Sequence, residues 1–554
     1  MPSARDKLHK LGRAAMVLAD IVVVLALVLT AALIWLERGW AKPNVSRQAE
    51  DAFRHGTIGT ELMPLPVALV LPDLFPDDFQ PAGAQAGDWI EQFGFIRNEP
   101  GINDGLPVGF VATHYRPASG APSPVAFVGF ACALCHTTEV RDGDGKVIRL
   151  VEGPGNLSLN LFSWIDAFQT AILEREPLAA GASPDPANPP PYKLTTKLIV
   201  ETYEKKTGRS LGLLEKGMVA LWLKQIRKRF NDGLPRFDDP YGHGLSRDPE
   251  YVPTGPTRTQ PFRTLIRTVF NRPGNDMAVY TKIATVFTED LRTWAQFDGT
   301  IADLNARSSG AALAAGATVD NMTLPEIVNN IIKASDFTRT LRPPRFEEMF
   351  PQAPKADPAV LAHGKEVYRQ YCFGCHGDRD AANDNWISGP RTNDVVPLAE
   401  IKTDPVRVMF RHYGEMGDRL FALFPDKHPF HFPRDKIRPL PGQENDLAIR
   451  GYVNSPMDGV FIRAPYLHNA SVLTLAELIN LKKRRAVFYR GRNRYDPVDV
   501  GYLSPDAPDR DDYFKFDTAT KGNSNEGHDY PWAYDDPKRN VEDLTALLAY
   551  LKTL

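Results

Sequence analysis

The chain has 554 residues, 43% of them hydrophobic and 24% charged, with a net charge of −3. That length allows an ample core and about two to four domains, and so ordinary a composition excludes a disordered or fibrous chain. With Lys482–Arg485 as the longest basic run, nucleic acid is excluded as a partner.

Arg5, Lys7, Lys10 and Arg13 precede an apolar run from Ala14 to Leu36 that only Asp20 interrupts. A run of this length spans a bilayer, whereas the core of a signal peptide is shorter. The expectation is an uncleaved anchor over 14–36, with the basic segment 1–13 inside and Trp35 and Trp40 at the far interface. Residues 44–131 read as loop-rich, with Leu62–Phe75 neither clean helix nor clean strand. Two strand-like runs, Asp104–Val111 and Val125–Phe130, lead to Cys132-Ala-Leu-Cys135-His136.

Two thiols three positions apart followed directly by an imidazole form the attachment pattern of a c-type haem. The thiols reach the two vinyl groups and the histidine supplies the proximal ligand. A second copy stands at Cys372-Phe-Gly-Cys375-His376, and the two copies use all four cysteines of the chain. The competing reading of paired C-x-x-C is a four-cysteine zinc site, which leaves the histidine after each pair as a double coincidence. Covalent haem attachment takes place outside the bacterial cytoplasm. The chain is therefore expected in the bacterial inner membrane, single-pass, with its haem domains in the periplasm.

Between the motifs, Leu157–Leu173 and Tyr192–Phe230 have helical spacing. Residues 181–191 are a proline-rich loop, and 231–260 a polar one. Thr323 reads as the N-cap of a helix with Glu326 three residues later. The five prolines of 341–358 mark a linker between an N-terminal haem domain (44–340) and a C-terminal cytochrome c domain (359–554). The latter opens with a helix around Leu361 and closes with one capped by Asn540, and Gly364 is expected to let these two helices approach closely. The fold class is mainly α: two cytochrome-c-like haem domains with long loops and few short strands, after one transmembrane helix.

Spacing leaves the sixth ligands open. For the second haem the candidates are His528 in its glycine-bracketed loop, His468, Tyr466, and the thioethers Met409, Met416 and Met457. For the first they are His55, His114 and His243, or none. An open iron means chemistry on dioxygen or peroxide; a closed one means electron transfer only. Peroxide use calls for a proton acceptor, for which Glu61, His114 and Glu139 are candidates, whereas an apolar wall favours oxygenase chemistry. Trp164, Trp294 and Trp386 are candidate electronic bridges.

Several stretches together resemble the dihaem cytochrome c peroxidase superfamily and, within it, the rubber-oxygenase-like branch. They are Gly56–Glu61, Leu106-Pro-Val-Gly109, Phe297-Asp-Gly299, Gly310–Gly316, Arg463-Ala-Pro-Tyr-Leu-His-Asn469, Phe488–Pro497, Gly522–His528 and the last helix. The resemblance implies two covalently attached haems. It implies that the second is six-coordinate through the histidine matching His528, that Tyr466 and His468 lie near the haems, and that the haem on His136 is the reactive one. The expected partner is an electron donor, either a redox partner protein or a quinol-linked one. Calcium between the domains is a further cofactor the resemblance raises, although Asp506–Asp512 reads as plain surface. The sequence departs from that branch at Ala306–Gly310, where Ser308 and Ser309 replace a distal aromatic, and at Phe297, where the branch has Trp. Ser308 joins Glu61 and His114 as a candidate catalytic residue, and the resemblance extends to architecture and haem roles, not to substrate.

Overall fold

A computed structural model describes residues 4–40, 44–76, 78–79, 88–100, 103–117, 119–173, 193–231, 254–269, 280–294, 296–380, 382–410, 412–440, 442–443, 445–491, 493–506, 514–529 and 537–554. His243, the 181–191 loop and most of the 231–260 and 506–512 loops lie outside this set. The chain is helix-rich with few short strands.

Helix α1 (Ala4–Trp40) is one long element. Its stretch Ala15–Trp40 is long and apolar enough to cross a membrane, a property that a signal sequence shares. Helix α2 (Ala49–His55) buries Ala52 and Phe53. Strand β1 (Met63–Pro64) runs straight into α3 (Leu65–Leu74). Leu62–Phe75 is therefore helix over most of its length. Two of its prolines lie at the start of the helix, where a missing N–H costs nothing, and Pro72 falls in the last turn. Strands β2 (Phe110–Tyr115) and β3 (Pro122–Phe130) complete a three-stranded antiparallel sheet in the order β1-β3-β2, with Phe110 opposite Phe130.

The sheet delivers the chain to α4 (Ala133–His136), the turn of the first C-x-x-C-H motif, followed by the hairpin β4 (Thr137–Arg141) and β5 (Val147–Glu152). Helix α5 (Leu161–Ile172) follows. The single helix expected over Tyr192–Phe230 is two, α6 (Thr196–Thr207) and α7 (Leu213–Asn231), because Gly208 ends the first in the left-handed region at φ 70°. Next come α8 (Leu304–Ala314) and α9 (Pro325–Thr340). Thr323 does not cap α9. The N-cap is Leu324, with proline in the first turn, and the Thr323 hydroxyl donates to the Asp320 carbonyl.

The proline-rich 341–358 segment is packed rather than extended, with Phe346, Met349 and Phe350 buried in the C-terminal core. Helix α10 (Pro358–Tyr371), capped by Asp357, leads into α11 (Phe373–His376), the turn of the second C-x-x-C-H motif. The closing helix α12 (Pro537–Leu551) begins before Asn540, which is inside it. Helices α10 and α12 cross so closely that a Cβ on Gly364 would stand 2.0 Å from the Ala546 carbonyl oxygen.

Among the described residues two large hydrophobic cores and one small cluster form, and the two large ones interleave in sequence. The N-terminal core takes in Phe410, Tyr413, Phe424, Phe432 and Ile437, while the C-terminal core takes in Val140, Val151 and Phe287.

Candidate functional site

The first motif rests on a close backbone contact. Gly109 has φ +79°, and a Cβ there would lie 2.1 Å from the Leu134 nitrogen, so only glycine lets the start of β2 lie against the haem turn. The Asn156 amide donates to the Cys135 carbonyl (2.7 Å) and the Gly153 amide to that of His136 (2.8 Å), which fixes the turn from behind. The pKa of His136 falls to about 4, through burial first and then the Arg307 guanidinium, against a backbone hydrogen bond at Ala284. Arg307, on α8, is itself paired with the buried Glu289. Burial drives the Cys132 and Cys135 thiols up to about 12. Around Cys132 and Ala133 packs a small apolar cluster of Ala52, Phe53, Ala334, Val108, Val286 and Phe337, with the rings of Phe53 and Phe337 5.0 Å apart.

The second motif is anchored by Cys372, which is buried in the core that also holds Tyr368 and Leu547. His376 Nδ1 lies 2.7 Å from the Ser455 carbonyl oxygen. A proton on Nδ1, donated to that oxygen, leaves the Nε2 lone pair for a metal. Burial lowers the basicity of His376, and the Ser455 hydrogen bond partly offsets it. The His528 ring stands opposite, its centroid 6.0 Å from that of His376. Two metal–imidazole bonds of about 2 Å, with roughly 1.1 Å from each nitrogen to its ring centre, span about 6 Å. The pair therefore fits one iron between them.

His528 reaches this position through a fixed loop. Its φ is +53°, uncommon outside glycine, and its amide donates to the Ile401 carbonyl (2.8 Å). At Gly527, φ +78°, a Cβ would meet the Lys402 carbonyl carbon at 2.3 Å. Arg484 Nη1 donates to the Gly527 carbonyl (2.9 Å), and Asn469 Nδ2 to those of Gly522 and Ser524 (3.2 and 2.9 Å). Burial, then repulsion from His376 and Arg484, brings the His528 pKa down to about 3.

The remaining candidates have other surroundings, and Met457 is partly buried against the core that holds Cys372. His468 is buried, stacked on Tyr452 (4.1 Å between centroids) with Nε2 2.9 Å from the tyrosine hydroxyl. The Tyr466 hydroxyl donates to carbonyls of Val460 and Val500 (both 3.2 Å). Met409 is exposed, and Met416 is buried in the N-terminal core. His55 is exposed. His114 Nδ1 lies 2.8 Å from the Ser123 carbonyl oxygen, at the end of β2 remote from the haem turn. Glu61 is buried, with Oε1 accepting from Thr57 (2.8 Å) and Thr113 (3.0 Å) and Oε2 from Asn321 (2.7 Å). Glu139 pairs with Arg141. Ser308 is closer to the apolar cluster, since its hydroxyl accepts from Ser335 on α9 (2.8 Å), next to Ala334. Trp386 donates to the His376 carbonyl (3.2 Å), whereas Trp164 lies in an aromatic cluster with Phe95, Phe110 and Phe130. Among the described residues no three His, Cys, Asp or Glu side chains converge on a metal site, so the two cysteine pairs do not combine.

Sequence reasoning missed the Ser455 carbonyl, the Phe53–Phe337 wall, and a buried set of cations between the motifs. In that set Asp458 accepts from Arg292 (3.0 Å) and Arg463 (2.6 Å), and Arg407 pairs with Asp298 (3.2 Å). No local pattern marks partners this far apart in sequence.

Residues 451–489, which include Tyr452, Arg463 and His468, match the family described as RoxA-like, cytochrome c-like. The uncharacterized protein y4iJ of Sinorhizobium fredii (strain NBRC 101917 / NGR234) is 25% identical over 596 residues, covering 94% of this chain and 93% of that protein. The uncharacterized protein y4iM of the same organism is 27% identical over 307 residues, covering 50% of this chain and 65% of that one. The family match supports a RoxA-like c-type cytochrome, with a covalently bound c-type haem and a haem-based redox function.

Proposed function

We propose that the chain is a membrane-anchored periplasmic dihaem oxidoreductase. In this reading Cys372 and Cys375 would hold one haem, with His376 and His528 as the residues that would close its iron and a redox partner protein or a quinol-linked donor as its electron source. Cys132, Cys135 and His136 would hold a second haem, which would supply the reactivity toward dioxygen or peroxide. The observation that carries the reading is the contrast between the two proximal histidines. His376 has an imidazole 6.0 Å away, centroid to centroid, and among the described residues no histidine ring is paired with His136 in that way.

A haem iron with an open position supplies the binding of, and electron transfer to, an oxygen species. The protein's own residues define the surroundings. Phe53, Phe337, Val286 and Ala334 keep water from the first haem turn, and the Arg307–Glu289 pair fixes a positive charge beside His136. The Ser308–Ser335 pair is the polar feature on the same two helices. So apolar a wall favours dioxygen over peroxide.

Carbon monoxide binding to the reduced full-length chain in detergent tests the reading. One carbon monoxide per two haems is expected, together with oxygen consumption when electrons are supplied. No carbon monoxide at either the half-reduced or the fully reduced stage would overturn it in favour of an electron-transfer cytochrome with both irons closed.

A further inference from the structure

Lys282 lies in the two-residue strand Thr281–Lys282, which pairs with Arg258–Thr259. Its amide donates to the His468 carbonyl (2.8 Å), and its Nζ donates to the carbonyls of Arg463 (2.5 Å) and Pro465 (2.7 Å). Four residues further on, the Val286 amide donates to the Gly153 carbonyl (2.7 Å), and the Gly153 amide donates to that of His136 (2.8 Å). Arg463, whose carbonyl holds the Lys282 ammonium, donates from Nη1 to the Pro456 carbonyl (2.8 Å), next to Ser455, whose carbonyl oxygen lies 2.7 Å from His376 Nδ1. The lysine therefore stands where the surroundings of the two proximal histidines meet.

The ammonium is 8% exposed as a residue and has three donors, of which two are satisfied, both by neutral carbonyls. Its charged neighbours are cations. Arg490 donates to the Leu157 carbonyl and Asn493 Oδ1 (both 2.8 Å), and its buried Nε has no partner among the described residues. Arg463 is matched by Asp458, which Arg292 also shares, and its Nε is likewise unpartnered. Among the described residues, Lys282, Arg463 and Arg490 thus face one carboxylate between them, Asp458. Burial, then repulsion from Arg463 and Arg490, brings the Lys282 pKa down to about 7, as expected of a cation that lacks an anion. Buried charges persist when they are paired, and a c-type haem carries two carboxylates of its own.

We propose that Lys282 is the counter-ion of a haem propionate at the junction of the two haem units, with Arg463 and Arg490 as its neighbouring cations. This rests on the dihaem reading above. Either haem can supply the carboxylate, and the test separates the two.

Full-length Lys282→Met and Lys282→Arg are purified in detergent, and their haem content is first measured by mass. Fewer than two haems on the wild-type chain would defeat the dihaem reading itself. With two present, propionate bending bands are read by resonance Raman and both midpoint potentials by redox titration. In Lys282→Met the bands shift and one midpoint falls, because a lost cation favours the ferric state. In Lys282→Arg that midpoint returns toward wild type, and the haem affected identifies the source. Should Lys282→Met not retain haem, Lys282→Gln gives the same test. Two haems with bands and both midpoints unchanged in the charge-removing variant would overturn the proposal.

Discussion

Gly364→Ala is a severe test of the α10–α12 crossing, because the added atom meets backbone and not a movable side chain. The new Cβ would stand 2.0 Å from the Ala546 carbonyl oxygen, 2.6 Å from its carbon and 3.0 Å from Tyr550 Cβ. Even a favourable C–H···O contact needs about 3.3–3.6 Å, so the helices must part by roughly 1.3 Å. Alanine is favoured over glycine in a helix interior by about 1 kcal/mol, whereas overpacking a well-packed contact costs about 1–3 kcal/mol or more. With rigid backbone on both sides the upper end applies, for a net loss of about 2 kcal/mol. Gly217, inside α7, is the control, since nothing lies within 4 Å of its Cβ position. There the same substitution should stabilise by about 0.5–1 kcal/mol. Denaturant unfolding of the full chain, followed through the C-terminal haem absorbance for Gly364→Ala and through far-ultraviolet dichroism for Gly217→Ala, gives both numbers. A Gly364→Ala variant as stable as wild type would refute the crossing.

Other substitutions bear on the site. Glu61→Ala strands the buried Asn321 amide and two threonine hydroxyls; at about 1–3 kcal/mol per stranded group, lessened by relaxation, it should cost about 3 kcal/mol in denaturant unfolding while haem content stays at wild type. His468 is held well below its usual pKa of 6.5 by burial, and further by Arg407 and Lys282. A neutral histidine in the folded state and a protonatable one in the unfolded state give a contribution that is complete above about pH 6.5 and lost as pH falls below it. Stability measured from pH 7.5 down to 5 should therefore decline less steeply in His468→Gln than in wild type, and equal slopes would contradict this.

What was legible in the sequence was local. The two C-x-x-C-H motifs, the apolar first helix and the need for a small residue at Gly364 are written in adjacent or helically spaced positions. His528 came forward because glycines bracket it, and those glycines do allow a left-handed backbone seated on Lys402. Misreadings followed from features whose effect depends on position. Proline at the start of α3 is harmless, and Gly208 ended a helix that apolar spacing alone would have continued. Least legible were the long-range pairs, such as Arg407 with Asp298 at 109 positions' separation and Lys282 with the carbonyls of Arg463 and Pro465. Their chemistry depends on burial and proximity, which one-dimensional spacing does not encode. For the same reason, the proline count at 341–358, which marks a linker, does not show that Phe346 and Phe350 pack into the core.

The central claim is an open iron beside a closed one, and electron paramagnetic resonance of the oxidised full-length chain tests it most directly. One high-spin and one low-spin ferric signal are predicted, with the low-spin signal lost in His528→Ala. Two low-spin signals that persist in the half-reduced protein would contradict the account and leave electron transfer as the function.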